Sequence, residues 1–453
     1  MQENIRVRFA PSPTGKVHIG NIRAAIYNWL YARHVGGKFL LRVEDTDLER
    51  STPEAIQVLF ECMKWLGLDY DEEVFYQTKN VKRHLEVVEQ LLASGDAYKC
   101  EKTSRDGKTG TVVMFKMPKE GVIEFDDIVK GHMAKKAEDI QDFAIVRSDG
   151  SPIFHIANVV DDIDQGVTHI IRGDDHVENT FKHICIFKAL GAPVPKYGHL
   201  SMIVNQQGKP YSKRDGAAFV GEYREQGYLP EALFNYLLLL GWHPEGDREV
   251  LTREEMIKEF ELEKVHVTAA MFDPKKLAWM NGEYIKKIPA DEFKKMLMTA
   301  CQTQSPRESL GIQCTASDPA RHDDGWWSYL APQVQVRTKF LTDLGKGLEF
   351  FFTDDYPVDE KAVEKRLKKE GAKAALEQVI ALFKDVSEAD WQASKLEELV
   401  KSLSQGNGMG AWVHPIRVAV SGRGEGIGLF EMLQLLGKEK TLARLEKGKE
   451  IAL

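Results

Sequence analysis

The chain has 453 residues, 43% of them hydrophobic and 29% charged, with a formal net charge of −8 at neutral pH. That length corresponds to about three domain-sized units, and the composition excludes a disordered, collagen-like or fibrous chain. The apolar run Leu237–Leu240 falls far short of the roughly 18 residues that cross a membrane, and Met1–Arg6 lacks the features of a secretory leader. The mild negative charge neither announces nor excludes a nucleic-acid partner, because binding follows local charge rather than the sum. Cys62, Cys100, Cys185, Cys301 and Cys314 are odd in number and widely spaced. They suit neither a disulfide framework nor a paired zinc motif, and a reduced, cytoplasmic protein is expected.

In chain order, Ile5–Phe9 alternates apolar and charged residues, as a short strand does. Ala10-Pro-Ser-Pro-Thr-Gly15 forbids helix and makes a stiff loop. From Asn21 to Arg33 the residues Ile22, Ile26, Trp29 and Leu30 recur at helical spacing until Gly36-Gly37. Lys38–Val43 reads as a buried strand ending in Glu44-Asp-Thr-Asp47. A second helix starts near Ser51-Thr-Pro53, with Val58, Leu59, Cys62 and Met63 as its apolar stripe. Strand, loop, helix, strand, helix is the opening of a doubly wound α/β fold. The helix N-terminus after the first loop attracts phosphate, and ligands in such sheets lie beyond the carboxyl ends of the strands, where Arg8, Ser12 and Glu44 fall. Gly20 permits close approach of a flat ring, and His18 can donate to a phosphate oxygen. On spacing alone, a packed loop histidine and a solvated acidic turn explain His18 and Glu44–Asp47 equally well.

Arg8-Phe-Ala-Pro-Ser-Pro-Thr-Gly15 followed by His18-Ile-Gly20 resembles the first signature of class I aminoacyl-tRNA synthetases in its glutamyl version, and Arg42-Val-Glu-Asp-Thr-Asp47 resembles that family's next signature. The fourth position of the first signature is Asn21. Further motifs follow in order to about Ile451, so the resemblance to bacterial glutamate–tRNA ligases spans nearly the whole chain. It implies a Rossmann-like parallel-sheet catalytic domain at 1–85 and 148–204. It implies an α+β insertion for the tRNA acceptor end at 86–147, a stem-contact helical domain with a mobile lysine loop at 205–288, and a helical anticodon-binding region at 289–453.

The middle of the chain carries the amino-acid motifs. Ile153–Val160 suits either a strand or a helix, and Val167–Arg172 reads as a buried strand ending in Gly173-Asp-Asp-His176. By the resemblance, Arg8 pairs with the side-chain carboxylate of glutamate and Arg172 with its α-carboxylate, since a guanidinium fork matches a carboxylate. Ala10, Ser12 and Glu44 match positions that hold the α-amino group, Asn158 matches a substrate contact, and Asp175 an acidic residue near the nucleotide. Phe154 departs from the usual tyrosine and so lacks a hydroxyl. Ala97-Tyr-Lys-Cys-Glu-Lys102 keeps only Cys100 of a Cys-x-Cys pair; a structural zinc needs four ligands, so no zinc is expected. Thr111–Pro118 alternates as one strand of the insertion's small sheet.

Gln207-Gly-Lys-Pro-Tyr-Ser-Lys-Arg-Asp-Gly216 is polar, basic and bracketed by glycines. It resembles the family's second signature, with Lys213 as the catalytic lysine and Lys209, Ser212 and Arg214 beside the nucleotide. Pro210 stands where a lysine is common. His18, Gly20 and Asp175 complete the ATP set. Helices are expected at Leu229–Trp242, Thr252–Phe260, Ala269–Asn281, Asp359–Val386 with a break near Gly371, around Leu396–Leu403, Gly426–Leu436 and Thr441–Leu445. A polar loop is expected at Thr303–Asp324. Lys365, Arg366, Lys368 and Lys369 suit either phosphate tracking or a solvated helix face.

The activity implied is two-step: ATP-dependent formation of glutamyl-adenylate, then transfer to the terminal adenosine of tRNA(Glu), with Mg²⁺ accompanying ATP, no membrane partner and a monomer as the default. A glutamine-specific synthetase would open Pro-Pro-Glu-Pro-Asn-Gly and carry β-barrels. A shortened paralogue that modifies a tRNA base would lack the last third of the chain. A nucleotidylyltransferase would need neither Arg8 nor a tRNA-binding half, and a non-catalytic relative would not need His18 and Lys213.

Overall fold

The computed structural model describes residues 4–13, 15–47, 51–103, 109–303, 322–404 and 408–453, in two compact units, 1–281 and 282–453. Unit 1 begins with β1 Arg6–Phe9, α1 Ile19–Val35, β2 Lys38–Val43, α2 Pro53–Trp65 and β3 Phe75–Tyr76. The strands pair in parallel in the order β1-β2-β3, with Arg8 opposite Leu40. After α3 Val81–Ser94 come β4 Ala97–Thr103, β5 Thr109–Phe115, β6 Val122–Asp127, β7 Gly131–Lys136 and β8 Phe143–Val146. β4, β5 and β8 form a small antiparallel sheet.

The ambiguous segment at 153–160 is a helix, α4 Phe154–Asp164, followed by β9 His169–Gly173, α5 Val177–Ala189 and β10 Lys196–Leu200. β9 and β10 are parallel, and the Thr168 N–H donates to the Arg6 carbonyl at 2.9 Å, which seats the entry of β9 beside β1. The central order is therefore β3-β2-β1-β9-β10, doubly wound, with the carboxyl ends of β1, β2, β9 and β10 on one edge. The β6–β7 hairpin continues this sheet beyond β10, with Tyr197 opposite Asp127.

The apolar spacing of α1 marks only part of what it buries. Ala25, Tyr27, Asn28 and Ala32 are buried along with Ile22, Ile26, Trp29 and Leu30, so the helix is enclosed on all sides rather than amphipathic. Gly36 takes a left-handed φ of 68° and ends it. In α2 the buried stripe is Ala55, Leu59, Cys62 and Met63, while Val58 is 37% exposed, a correction to the expected set. Thr52 caps this helix, and Pro53 stands in its first turn.

Unit 1 continues with β11 Ile203–Val204, α6 Val220–Glu225, α7 Pro230–Leu239, α8 Arg253–Glu259, β12 Ala270–Met271 and α9 Pro274–Lys286, whose last residues belong to unit 2. The helix expected from Ala269 starts instead at Pro274, because Ala270–Met271 pairs with Ile203–Val204. Thr252 and Glu255 form a reciprocal capping box on α8.

Unit 2 contains α10 Ala290–Thr303, α11 Asp324–Gln335, α12 Glu349–Phe352, α13 Glu360–Arg366, α14 Ala372–Lys384, α15 Ala393–Leu403, α16 Gly410–Ser421, α17 Leu429–Leu436 and α18 Lys438–Ile451. The break near Gly371 is a left-handed residue (φ 85°) between α13 and α14. α16 and α18 approach closely at Gly448, where an added Cβ would lie 2.4 Å from the Ala419 Cβ. Residues 304–321, most of the expected polar loop, lie outside the described residues, as does Cys314. No helix among the described residues is long and apolar enough to cross a membrane.

Candidate active site

The carboxyl edge of the sheet gathers buried charge. Arg8 projects from β1 with its Nε 3.1 Å from Asp162 Oδ1. Arg42, the fifth residue of β2, donates to Asp162 Oδ1 at 2.7 Å, to Asn158 Oδ1 at 2.7 Å and to Gln165 Oε1 at 3.0 Å, and lies 3.5 Å from Glu44 Oε1. Burial works against the Arg42 charge, but Asp162 and Glu44 more than offset it, and its pKa is raised. Burial pushes the Glu44 carboxyl up, against the pull of Arg42 and Arg8. Asp162 is held low: burial opposes its charge, but Arg42 and Arg8 outweigh it.

Among the described residues Arg8 gives only Nε to the protein, so both terminal nitrogens of its fork remain for a ligand. Arg172 donates through Nη2 to Thr180 Oγ1 at 2.6 Å and to the His176 carbonyl at 3.3 Å, and through Nε to His199 Nε2 at 3.4 Å. Burial pulls its pKa down to about 10, and Arg8 adds repulsion, yet the group stays charged at neutral pH. Arg8, Arg42 and Arg172 thus share the carboxylates of Asp162 and Glu44, and Asp161 also acts on Arg42 and Glu44. The carboxylate of Asp161 is committed to Gln77, Asn80 and His84.

Phe154 starts α4, its ring 5.5–5.7 Å from those of His155, His176 and His183. His155 Nδ1 and His183 Nε2 are 3.1 Å apart. Burial, reinforced by Lys182 and Arg172, lowers His155 to about 4, and burial with Arg172 holds His183 well below its usual value. The Asn158 amide also donates to the Phe154 carbonyl at 3.2 Å. Ala10 is half-buried and Ser12 exposed on the loop whose Pro11 carbonyl accepts the Glu44 N–H at 3.0 Å.

His18 is the N-cap of α1, and its Nδ1 accepts the Gly20 N–H at 3.0 Å. The ring hydrogen therefore sits on Nε2. Burial lowers its pKa, against a hydrogen bond with the Tyr211 backbone. A Cβ at Gly20 would sit 3.2 Å from His18 Nδ1 and crowd that contact. Asp175 is exposed, one oxygen 3.6 Å from His176 Nε2.

The basic segment is more ordered than its composition implies. The Asn205 N–H donates to the Lys209 carbonyl, and Pro210 bridges Val204 in a short hairpin. Asp215 then closes a turn, accepting Ser212 N and Oγ at 2.9 and 3.0 Å and the Asn205 amide at 2.7 Å. Beyond it the chain zips onto the first signature: Ile19 N donates to the Ala218 carbonyl at 3.0 Å and Val220 N to the Val17 carbonyl at 2.9 Å. Lys209, Lys213 and Arg214 are exposed and carry no ion pair among the described residues. The sequence did not single out Asn205 or Asp215; an Asp two residues after the lysine, in a Ser-x-x-Asp turn, was the available signal.

Comparisons with known proteins bear on this arrangement. The model for the class I tRNA synthetase catalytic domain (E and Q) matches residues 4–109 and 102–279, and an anticodon binding domain model matches 276–449. A glutamate–tRNA ligase of Francisella philomiragia is 41% identical, covering 98% of both chains. The chain belongs to the glutamate–tRNA ligases. The ligase of Symbiobacterium thermophilum is 39% identical over 97% of this chain and 99% of its own. The crystal structure of a glutamate tRNA ligase from Elizabethkingia meningosepticum in complex with its amino acid has a TM-score of 0.84 at 28% identity, over 99% of each chain. As a ligase of this class I family, the chain forms an aminoacyl-tRNA, joining glutamate to tRNA, and the anticodon-domain match sets aside the shortened paralogue.

Proposed function

We propose that glutamate lies across the buried cluster, its side-chain carboxylate on the free fork of Arg8 and its α-carboxylate on Arg172. Its ammonium faces Glu44, Ala10 and Ser12, with Asn158 and Phe154 alongside. The observation that carries this reading is the pair of buried arginines at the carboxyl edge of the sheet, with donors left over for two carboxylates. Glu44, pushed toward neutrality by burial, is held ionised by the ammonium.

ATP occupies the mouth of the same edge, with His18 and Gly20 at the helix N-terminus, Asp175 nearby, and Lys209, Ser212, Lys213 and Arg214 on the zipped turn. An α-carboxylate oxygen attacks the α-phosphorus as the bond to the bridging oxygen breaks, and its electrons leave on pyrophosphate. Lys213 neutralises that developing charge, and His18 Nε2–H donates to a phosphate oxygen. The 2′-hydroxyl of the terminal adenosine then attacks the adenylate carbonyl and AMP departs. No protein nucleophile is required, since catalysis is placement plus charge stabilisation. Mg²⁺ would accompany ATP and neutralise its phosphates; among the described residues no three His, Cys, Asp or Glu side chains gather as a metal site.

Cys100, half-buried on β4 with exposed Lys102 two residues on, is read as an ordinary strand residue without zinc. A monomer working in the cytoplasm, where tRNA is charged, is the proposed setting. In unit 2, Arg337, Lys346, Arg417 and Arg423 line a cavity of about 250 Å³, and Arg366, Arg417, Lys365 and Lys369 add repulsion to the burial that lowers the His414 pKa; these cations are the proposed tRNA-facing groups.

The test is charging of unfractionated bacterial tRNA with labelled glutamate beside labelled glutamine. Glutamate alone should be incorporated, and Lys213→Ala should lower the rate about 10²-fold or more. Failure with both amino acids, in folded protein that binds tRNA, would overturn the reading.

A further inference from the structure

Asp127 and His199 have no part in the mechanism above, yet both side chains are fully buried, and His199 reaches Arg172. Asp127 ends β6, and its Oδ1 accepts the N–H groups of Val129, Lys130 and His199 at 3.0, 2.8 and 3.1 Å. Its Oδ2 is left to His199 Nδ1, 2.5 Å away. The Asp127 pKa is lowered: burial opposes the charge, but the His199 bond and the backbone donors outweigh it, so the carboxylate is ionised and only accepts. The His199 hydrogen is therefore on Nδ1, and a neutral ring presents a lone pair at Nε2. Burial keeps the ring neutral, against the opposing pull of Asp127.

That lone pair has two neighbours with hydrogens to give. Arg172 and His199 are cross-strand partners in the parallel β9–β10 pair, and Arg172 Nε lies 3.4 Å from His199 Nε2. Thr180 Oγ1 lies 3.0 Å from the same nitrogen, while it accepts from Arg172 Nη2 at 2.6 Å. A guanidinium keeps its hydrogens, so a hydrogen on His199 Nε2 would set donor against donor. Tyr197, stacked on the His199 ring at 5.9 Å, carries the Arg172 guanidinium over its own face at 5.5 Å. Two edges of the guanidinium are thereby fixed, and among the described residues Nη1 has no hydrogen-bond acceptor.

We infer that Asp127, by fixing the tautomer of His199, aims the Arg172 guanidinium at the α-carboxylate of glutamate, so that Asp127 and His199 are positioning residues for substrate binding. This rests on the role proposed for Arg172. It also gives the β6–β7 hairpin, an extension beyond the five-strand core, a task at the amino-acid end of the site.

The experiment is ATP–pyrophosphate exchange by the full chain with tRNA present, measuring KM for glutamate, KM for ATP and kcat. It is run beside inhibition by L-glutamol, in which a CH₂OH group replaces the α-carboxylate. Asp127→Asn should raise the glutamate KM about tenfold, the scale of lost orienting partners, while the ATP KM, kcat and the glutamol Ki stay within about twofold. His199→Gln, which retains an acceptor facing Arg172, should be milder than His199→Leu, and this pair carries the test should Asp127→Asn not fold. Parallel deterioration of every constant would make the pair a structural strut and overturn the inference. A glutamate KM raised by Arg172→Lys but not by Asp127→Asn would overturn the positioning chain alone. A glutamate KM unmoved by Arg172→Lys would overturn the role of Arg172 itself, and the inference with it.

Discussion

The two ends of the catalytic edge solve charge recognition in opposite ways. At the end proposed for the amino acid, Arg8, Arg42, Arg172, Asp162, Glu44 and Asn158 are buried, and Arg8 and Arg42 are bonded to Asp162 and Arg42 to Asn158. On the lysine turn, Lys209, Lys213 and Arg214 point into solvent, and only the backbone beneath them is fixed, by Asp215 and by the zipper to residues 17–19. The difference follows the chemistry. A small amino acid is told apart by unpaired donors in a dry pocket, where a missing carboxylate is costly. A triphosphate needs cations that advance as charge moves onto the leaving group, and long exposed side chains can do so. Rigidity is invested where specificity is decided.

Substitutions can break this contrast. The largest effect should come from Arg8→Gln, which leaves a substrate carboxylate buried without its partner. The kcat/KM for glutamate should fall about 10²–10³-fold with the ATP KM unchanged, read in pyrophosphate exchange. Lys213→Ala should fall in the opposite column, with kcat reduced about 10²-fold and the glutamate KM unmoved. If both substitutions raised the glutamate KM alike, the division into a dry recognition end and a mobile charge end would be wrong. Asp215→Ala sharpens the comparison: it keeps all three cations but frees the turn, and about a tenfold loss in kcat/KM for ATP is expected, with glutamate binding intact.

The smallest effect concerns acid. His155, half-buried, and His183, buried, lie beside the site, and burial with nearby cations holds their folded pKa values below the ordinary 6.5. Below that pH the unfolded chain takes up protons that the folded chain refuses. Stability should therefore be complete above pH 6.5 and decline between 6.5 and about 4, where His155 titrates. Denaturant titrations across that window should show a shallower decline in His183→Gln, and an unchanged slope would mean that other groups set it.

Motifs were legible wherever the chemistry is local. The first signature, the Glu44 turn, Arg172 and the lysine segment can be read because short loops at strand ends need Pro, Gly and charged residues in fixed order. The doubly wound opening followed from alternation and helical spacing in the first seventy residues. Tertiary context decided the rest. Ile153–Val160 became a helix because it packs against α3 and α5 as well as the sheet, which the apolar run alone does not reveal. Ala270–Met271 left its expected helix because β11 needed a partner. The burial of Arg42 and its bonds to Asp162 and Asn158 join residues more than a hundred positions apart, and no local pattern carries that information.

The sequence by itself determined the family, the strand–loop–helix frame and the residue types proposed to meet glutamate and ATP, because each resides in a contiguous motif with its own backbone requirement. The tertiary structure alone decided which charges are dry, which donors are left over, and which histidine tautomers are imposed. Those properties belong to the pairing of β9 with β10, of β10 with the β6–β7 hairpin, and of the lysine turn with the head of α1. They are consequences of burial and long-range registry, which arise only when distant segments exclude water from one another.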